Sequence, residues 1–196
     1  MMTVSHDIMV LETTQGPVRI EMRPDLAPQH VARIKELVQS GFYDGIVFHR
    51  VIEGFMAQTG CPHGTGTGGS GVKLKAEFNT APHVRGTASM ARAQNPDSGD
   101  SQFFICFDDA RFLDRQYTVW GQVVSGMENV DKIKRGEPVH NPDKIVKAFI
   151  EAPAAAEPEA SPAADDQASE KPAKKPAKKA AVKKPAAKKT ASKKKS

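Results

Sequence analysis

The stretch Phe48-His49-Arg50-Val51-Ile52-Glu53-Gly54-Phe55-Met56-Ala57-Gln58 decides how this chain is read. It spans two strand candidates, 46–51 and 55–59, and mixes one long cation with aromatics, a methionine and an amide. A second stretch has the same mixture: Ser89-Met90-Ala91-Arg92-Ala93, then 95–99, then Ser101-Gln102-Phe103-Phe104-Ile105. Residue by residue, both read as β core with one exposed arginine. Together they call for a second reading.

Working outward, the pattern on either side is mainly β. Residues 8–11 are a short apolar run, and Val18, Ile20 and Met22 alternate with Arg19 and Glu21 at strand period. Gln15-Gly16-Pro17 turns the chain between the two. One helix follows. Pro28 suits its first turn, Val31, Ile34, Leu37 and Val38 make an apolar stripe, and Gly41 sits where a C-terminal cap belongs. Further strands are expected at 86–90, 102–106, 119–123 and 144–150, with a second short helix over 127–134 that ends at Gly136. Many short strands with two helices predict a closed antiparallel sheet under helical covers.

The three segments FHRVIEGFMAQTG (48–60), SMARAQNPDSGDSQFFI (89–105) and FLDRQYTVWGQV (112–123) closely resemble the cyclophilins, in the order and spacing of that family, and the likeness runs from about Asp7 to Ile150. It implies a mainly β fold: a closed eight-stranded antiparallel β-barrel capped by two α-helices, with the substrate in an external groove. It also implies peptidyl-prolyl cis/trans isomerase (rotamase) activity in protein folding. Matched to the family's motifs, the groove comprises Arg50, Phe55, Met56, Gln58, Ala91, Arg92, Ala93, Gln102, Phe104, Phe112, Leu113 and Tyr117.

The chemistry accounts for these residue types. An X–Pro bond prefers trans only slightly, yet its isomers exchange over tens to hundreds of seconds, because amide resonance opposes rotation by roughly 18–20 kcal/mol. At the twisted state that resonance is broken and the prolyl nitrogen regains its lone pair. A donor aimed there favours the twisted state over either planar one. Arg50 suits the task, being always charged with several donors in a fixed fork. Phe55, Met56, Phe104 and Leu113 would hold the ring, while Gln58 and the Arg92 backbone hold the substrate chain. No nucleophile, metal or cofactor is required. Phe112 stands where the best-known eukaryotic pattern often has an indole, Tyr117 where it often has a histidine, and Arg92 where it often has an asparagine. The lost indole N–H predicts weakened cyclosporin binding.

Other signals are set aside. Residues 64–69 spell G-x-G-x-x-G, but no helical pattern and no G-K-[ST] follow. Cys61-Pro62-His63 offers too few ligands for a metal site. Cys106 reads as a buried thiol and His49 as packing. Nothing around Ser101 resembles a nucleophile elbow.

Composition divides the chain near residue 151. Beyond Ala152 the only larger aliphatic is Val182, so the segment cannot bury enough apolar area to offset its ordering entropy. The expected organisation is an isomerase domain over 1–151, an Ala/Pro/acidic linker over 152–170 and a disordered Lys/Ala/Pro tail over 171–196. The overall charge of +5 hides this split: the tail holds twelve lysines and no acid, leaving 16 basic against 23 acidic side chains before it. At the level of composition the tail resembles those of linker histones. It predicts sequence-independent contact with nucleic acid or another polyanion; it has no aromatic residue for base stacking. Two cysteines, no apolar run of membrane length and no basic leader followed by one predict a cytoplasmic protein without a membrane span. Proline-containing polypeptides are the expected partners and a monomer the expected state. The rival readings are a module that binds proline segments without turnover, and a nucleoid-associated protein with the barrel as passenger.

Overall fold

A computed structural model describes residues 6–151; the linker and tail lie outside the described residues. Eight strands and two helices follow in order: β1 (Ile8–Thr13), β2 (Gly16–Met22), α1 (Pro28–Gln39), β3 (Arg50–Ile52), β4 (Met56–Thr59), β5 (Thr87–Met90), β6 (Phe103–Cys106), β7 (Val119–Ser125), α2 (Met127–Asp131) and β8 (Ile145–Glu151). All ladders are antiparallel, in the spatial order β3-β4-β6-β5-β7-β2-β1-β8.

The sheet curls, but the ladder does not close, which corrects the expected closed barrel. β3 has three residues, and its outer edge pairs with Gly136: Val51 N–H donates to Gly136 O at 2.9 Å and Gly136 N–H to Val51 O at 2.8 Å. The strap after α2 therefore occupies the seam that β8 would need. Only an isolated bridge, Val47 to Lys144, and scattered bonds such as Phe48 N–H to Asp143 O (2.8 Å) span it. The result is a half-barrel with a wedged seam. For the same reason the run expected as a strand over 46–51 is ladder only from Arg50. The second helix stops at Asp131, well before Gly136, which serves the seam instead.

The interior is filled by Trp120, Phe103, Tyr43, Phe48, Met9, Leu11, Ile20 and Ile105, all nearly or fully buried. Phe103 meets Tyr43 and Trp120 edge-on, with ring centroids 5.6 and 5.3 Å away, a favoured aromatic arrangement. α1 buries Val31, Ile34, Leu37 and Val38 in this core, and α2 adds Val130. The stripe and the stop of α1 follow from local sequence. Gly41 takes φ +73°, and the N–H groups of Gly41 and Phe42 return to Val38 O and Leu37 O. Its start does not: Ala27 offers no capping side chain. Glu77 supplies the cap from a distance, accepting from Gln29 N–H (3.1 Å) and His30 N–H (3.0 Å).

Candidate active site

β6 is buried on both faces, which is what produces a site on the outside of the half-barrel. Phe103 and Ile105 point into the main core, while Phe104 and Cys106 point the other way. The neighbouring β4 repeats the alternation, with Ala57 inward and Met56 outward. The outward residues need their own apolar cover, and Ala110 and Leu113 provide it, with Ile52, Phe55, Ala91 and Tyr117 packed partly buried around them. This second cluster has too few members to enclose itself. It leaves a cavity of about 100 Å³ lined by Arg50, Phe55, Met56, Gln58, Ala91, Arg92, Phe104, Leu113 and Tyr117. That is about three water volumes, the scale of one small ring.

Nine of the twelve residues assigned to the groove thus meet in one cavity. Ala93 and Gln102 line a neighbouring cavity of about 230 Å³, together with Gln58, Ala91, Arg92, Gly66, Thr67, Gly68, Lys73, Ser98 and Asp100. Phe112 lines neither; it is 66 % exposed on the rim, its ring 5.5 Å from that of Phe55. The three shared residues, Gln58, Ala91 and Arg92, form the ridge between the cavities.

Hydrogen bonds fix the polar members. Gln58 Nε2 donates to Gln102 Oε1 at 2.9 Å, and Gln102 Nε2 donates to Gly66 O and Gly68 O at 2.8 Å each. The Gln58 side-chain oxygen has no hydrogen-bond partner among the described residues. Asp100 ties down the same loop through Ser70 N–H and Oγ and through Lys73 Nζ. Gly60, between β4 and this loop, could not be another residue: a Cβ there would lie 2.3 Å from Ser101 O. The Arg92 side chain lies over Tyr117, 4.6 Å from the ring centroid, with Nε donating to Gln116 O at 3.0 Å. It packs the wall of the groove. Arg50 is 38 % exposed at the cavity mouth, and its Nε donates to Glu137 Oε1 at 2.6 Å.

Behind the cavity lies a buried relay that sequence reading missed. His83 is fully buried, its ring stacked near Phe104 (6.2 Å) and edge-on to Tyr117 (6.4 Å). Its Nδ1 lies 3.0 Å from Asp114 Oδ1 and its Nε2 2.9 Å from Ser89 Oγ. Burial holds His83 below the usual histidine range, against the pull of Asp114, and the Ser89 hydroxyl donates to Thr118 O at 3.0 Å. The order Asp–His–Ser invites comparison with a nucleophilic triad, but Ser89 is fully buried under the pocket floor and meets no substrate space. The relay braces Phe104 and Tyr117. No short-range pattern announces it, because His83 and Asp114 are 31 residues apart.

The set-aside signals have structural roles. The Cys61 thiol accepts N–H bonds from Gly66 and Gly68 at 3.2 and 3.3 Å. Burial pushes this thiol up, but the surrounding N–H donors outweigh it and hold it below the usual thiol range. Cys106 is buried, which pushes it up to about 12. His49 is buried. Among the described residues no three His, Cys, Asp or Glu side chains converge as metal ligands, and no helix is long and apolar enough to cross a membrane.

Residues 8–150 match the family described as cyclophilin type peptidyl-prolyl cis-trans isomerase/CLD. A probable peptidyl-prolyl cis-trans isomerase of Brucella suis is 56 % identical over 164 residues, which cover 75 % of this chain and 84 % of that one. A crystal structure of the cyclophilin AquaCyp293 from Hirschia baltica superposes with a TM-score of 0.67 at 33 % identity, covering 72 % of this chain and 73 % of that one. A cyclophilin type isomerase of Cryptosporidium parvum, crystallised in the presence of the dipeptide Ala-Pro, gives 0.69 at 27 %, covering 74 % and 99 %. The half-barrel, its external cavity and the match over residues 8–150 lead to one conclusion: the chain belongs to the cyclophilin-type peptidyl-prolyl cis-trans isomerase family.

Proposed function

We propose that this isomerase holds a prolyl ring in the 100 Å³ cavity and turns the preceding carbonyl outside it, with Arg50 donating to the prolyl nitrogen at the twisted state. The observation that carries the reading is the placing of the Arg50 guanidinium on the same cavity as the apolar side chains of Phe104, Met56 and Leu113. Magnitudes divide the work. A 10⁵-fold acceleration needs about 7 kcal/mol. One charge-assisted hydrogen bond contributes about 1.5–3 kcal/mol, so Arg50 alone is insufficient. The remainder comes from immobilising the ring against Phe55, Phe104 and Leu113 while the Gln58 carbonyl and the Arg92 backbone hold the substrate chain. Ala91 and Tyr117 complete the walls, Ala93 and Gln102 extend the groove into the neighbouring cavity, and Phe112 stands on the rim. Nothing in this scheme calls on a cofactor or a metal.

The substrates on this reading are proline-containing segments of polypeptides, and the role is assistance in folding. NMR exchange on a proline tetrapeptide tests it. Cross-peaks between cis and trans that broaden with catalytic amounts of enzyme support it; binding without exchange would make the groove a passive module.

The remaining elements of the proposal concern the chain's organisation: an isomerase domain over 1–151, a linker over 152–170 and a basic tail over 171–196. Twelve lysines without an acid suit phosphate contacts that release counterions, with a salt slope approaching roughly −11 if all engage. An electrophoretic shift with duplex DNA, comparing the full chain with residues 1–151, tests the tail; an equal shift for both would rule it out. Two free, buried cysteines suit a reducing cytoplasm. The proposed monomer is checked by sedimentation.

A further inference from the structure

We infer that Glu137 is a positioning residue for the isomerase reaction, which holds the Arg50 guanidinium by its Nε and leaves its terminal amino groups free for the substrate. The inference rests on the reading of Arg50 as the donor to the prolyl nitrogen.

The fold places this carboxylate by pairing. Gly136 exchanges both backbone hydrogen bonds with Val51 in an isolated antiparallel bridge. In such a pair the next residue on one strand stands opposite the preceding one on the other, so Glu137 faces Arg50 directly. The strap that carries it is anchored on both sides of the bridge. Arg135 pairs with Glu53 and lies over the Phe107 ring, 4.3 Å from its centroid, while Val139 N–H donates to His49 O at 3.3 Å. The carboxylate is thus held by backbone, which an exposed glutamate on a free loop would not be.

The geometry of the contact matters more than its charge. Glu137 Oε1 takes the Arg50 Nε–H at 2.6 Å, and it is the only hydrogen-bond partner of the Arg50 side chain among the described residues. A guanidinium has five N–H donors in one plane. Clamping the Nε–H fixes that plane and leaves the four outer N–H groups for the substrate. Without the clamp, a long side chain that is 38 % exposed distributes over several rotamers, and only some of them reach the prolyl nitrogen. Against this, the carboxylate charge offsets part of the positive field of Arg50. Glu137 is 57 % exposed, so solvent screens that effect, and orientation outweighs it.

The experiment is steady-state and NMR-exchange kinetics of the full chain on a proline tetrapeptide, for Glu137→Ala, Glu137→Gln, Arg50→Ala and the double variant. Glu137→Ala is expected to lower kcat about fivefold, the bias that an exposed ion pair can impose on a rotamer population, with KM unchanged. Glu137→Gln keeps an oxygen that accepts from Nε and is expected to restore most of kcat. The double variant is expected to be no slower than Arg50→Ala, because the clamp has nothing left to hold. A Glu137→Ala enzyme as fast as the parent, or faster, would overturn the inference alone, as would a Glu137→Gln enzyme as slow as Glu137→Ala. If Arg50→Ala itself kept the parent kcat, the reading beneath the inference would fall and the inference with it. Denaturation midpoints matching the parent exclude a folding defect.

Discussion

Phe103 and Phe104 are neighbours in the chain, of the same type, on the same strand and almost equally buried, at 0 % and 5 % exposure. They belong to different regions. Phe103 sits in the half-barrel core between Tyr43 and Trp120, surrounded on every side. Phe104 sits in the outer cluster, braced from behind by His83 and Tyr117, with the cavity in front. Burial does not separate the two. What separates them is whether apolar contacts close around the ring, and a ring left with one open side inside a rigid wall is where a substrate ring can stack.

That contrast gives the largest expected effect. Phe103→Ala should lower stability by about 3–5 kcal/mol, because the core can collapse only partially around the lost ring, while the activity of the molecules still folded is retained. Denaturant unfolding and kinetics on the same samples read both. If Phe104→Ala lost as much stability as Phe103→Ala and kept its activity, the two regions would not be distinct.

Arg50→Ala tests the opposite corner. It is expected to reduce kcat/KM about 10²–10³-fold, the range seen when one preorganised donor at a developing charge is removed. The change in stability should be within about 0.5 kcal/mol, as for surface substitutions. An unfolding midpoint that moved with the rate would assign Arg50 to the framework.

The relay behind the cavity predicts a pH effect. Burial depresses His83, as it does His49. The unfolded chain therefore takes up protons below the ordinary value of 6.5 that the folded chain refuses. Stability from this source is present above about pH 6.5 and is lost as pH falls toward the depressed folded value. Asp114, held low chiefly by the His83 N–H, acts only in the more acidic carboxylate range. Melting temperatures between pH 7 and pH 5 should fall for the parent and fall less for His83→Gln. Equal slopes would mean that His83 is not the group responsible.

The smallest effect concerns the rim. Phe112 is exposed and lies outside both cavities, so Phe112→Trp should leave isomerisation unchanged. By restoring an N–H donor it should tighten cyclosporin about fivefold, the worth of one net hydrogen bond; calorimetry measures both proteins. Nanomolar affinity in the parent would contradict the expected weakness.

These regions were legible to different degrees. Period-2 alternation located β2, short apolar segments located the other strands approximately, with the β3 candidate starting four residues early, and the stripe from Val31 to Val38 located α1, because each pattern is local. Resemblance located the groove residues, and nine of twelve meet in one cavity. The seam was misjudged. A closed sheet is the simplest way to satisfy eight strands, and no short-range signal says that Gly136 will pair with Val51 before β8 can.

By itself, the sequence determined most of the strand and helix inventory and the break in composition between an acidic stretch and a run of lysines. Those depend on periodicity and composition, which reside in consecutive residues. Tertiary structure alone decided that Glu77 caps α1 from 47 residues away, that Asp114 and His83 brace Phe104, and that Glu137 faces Arg50 across 87 residues. A side chain's partner over such distances is fixed by how strands register and close, so these contacts exist only once the whole sheet has formed.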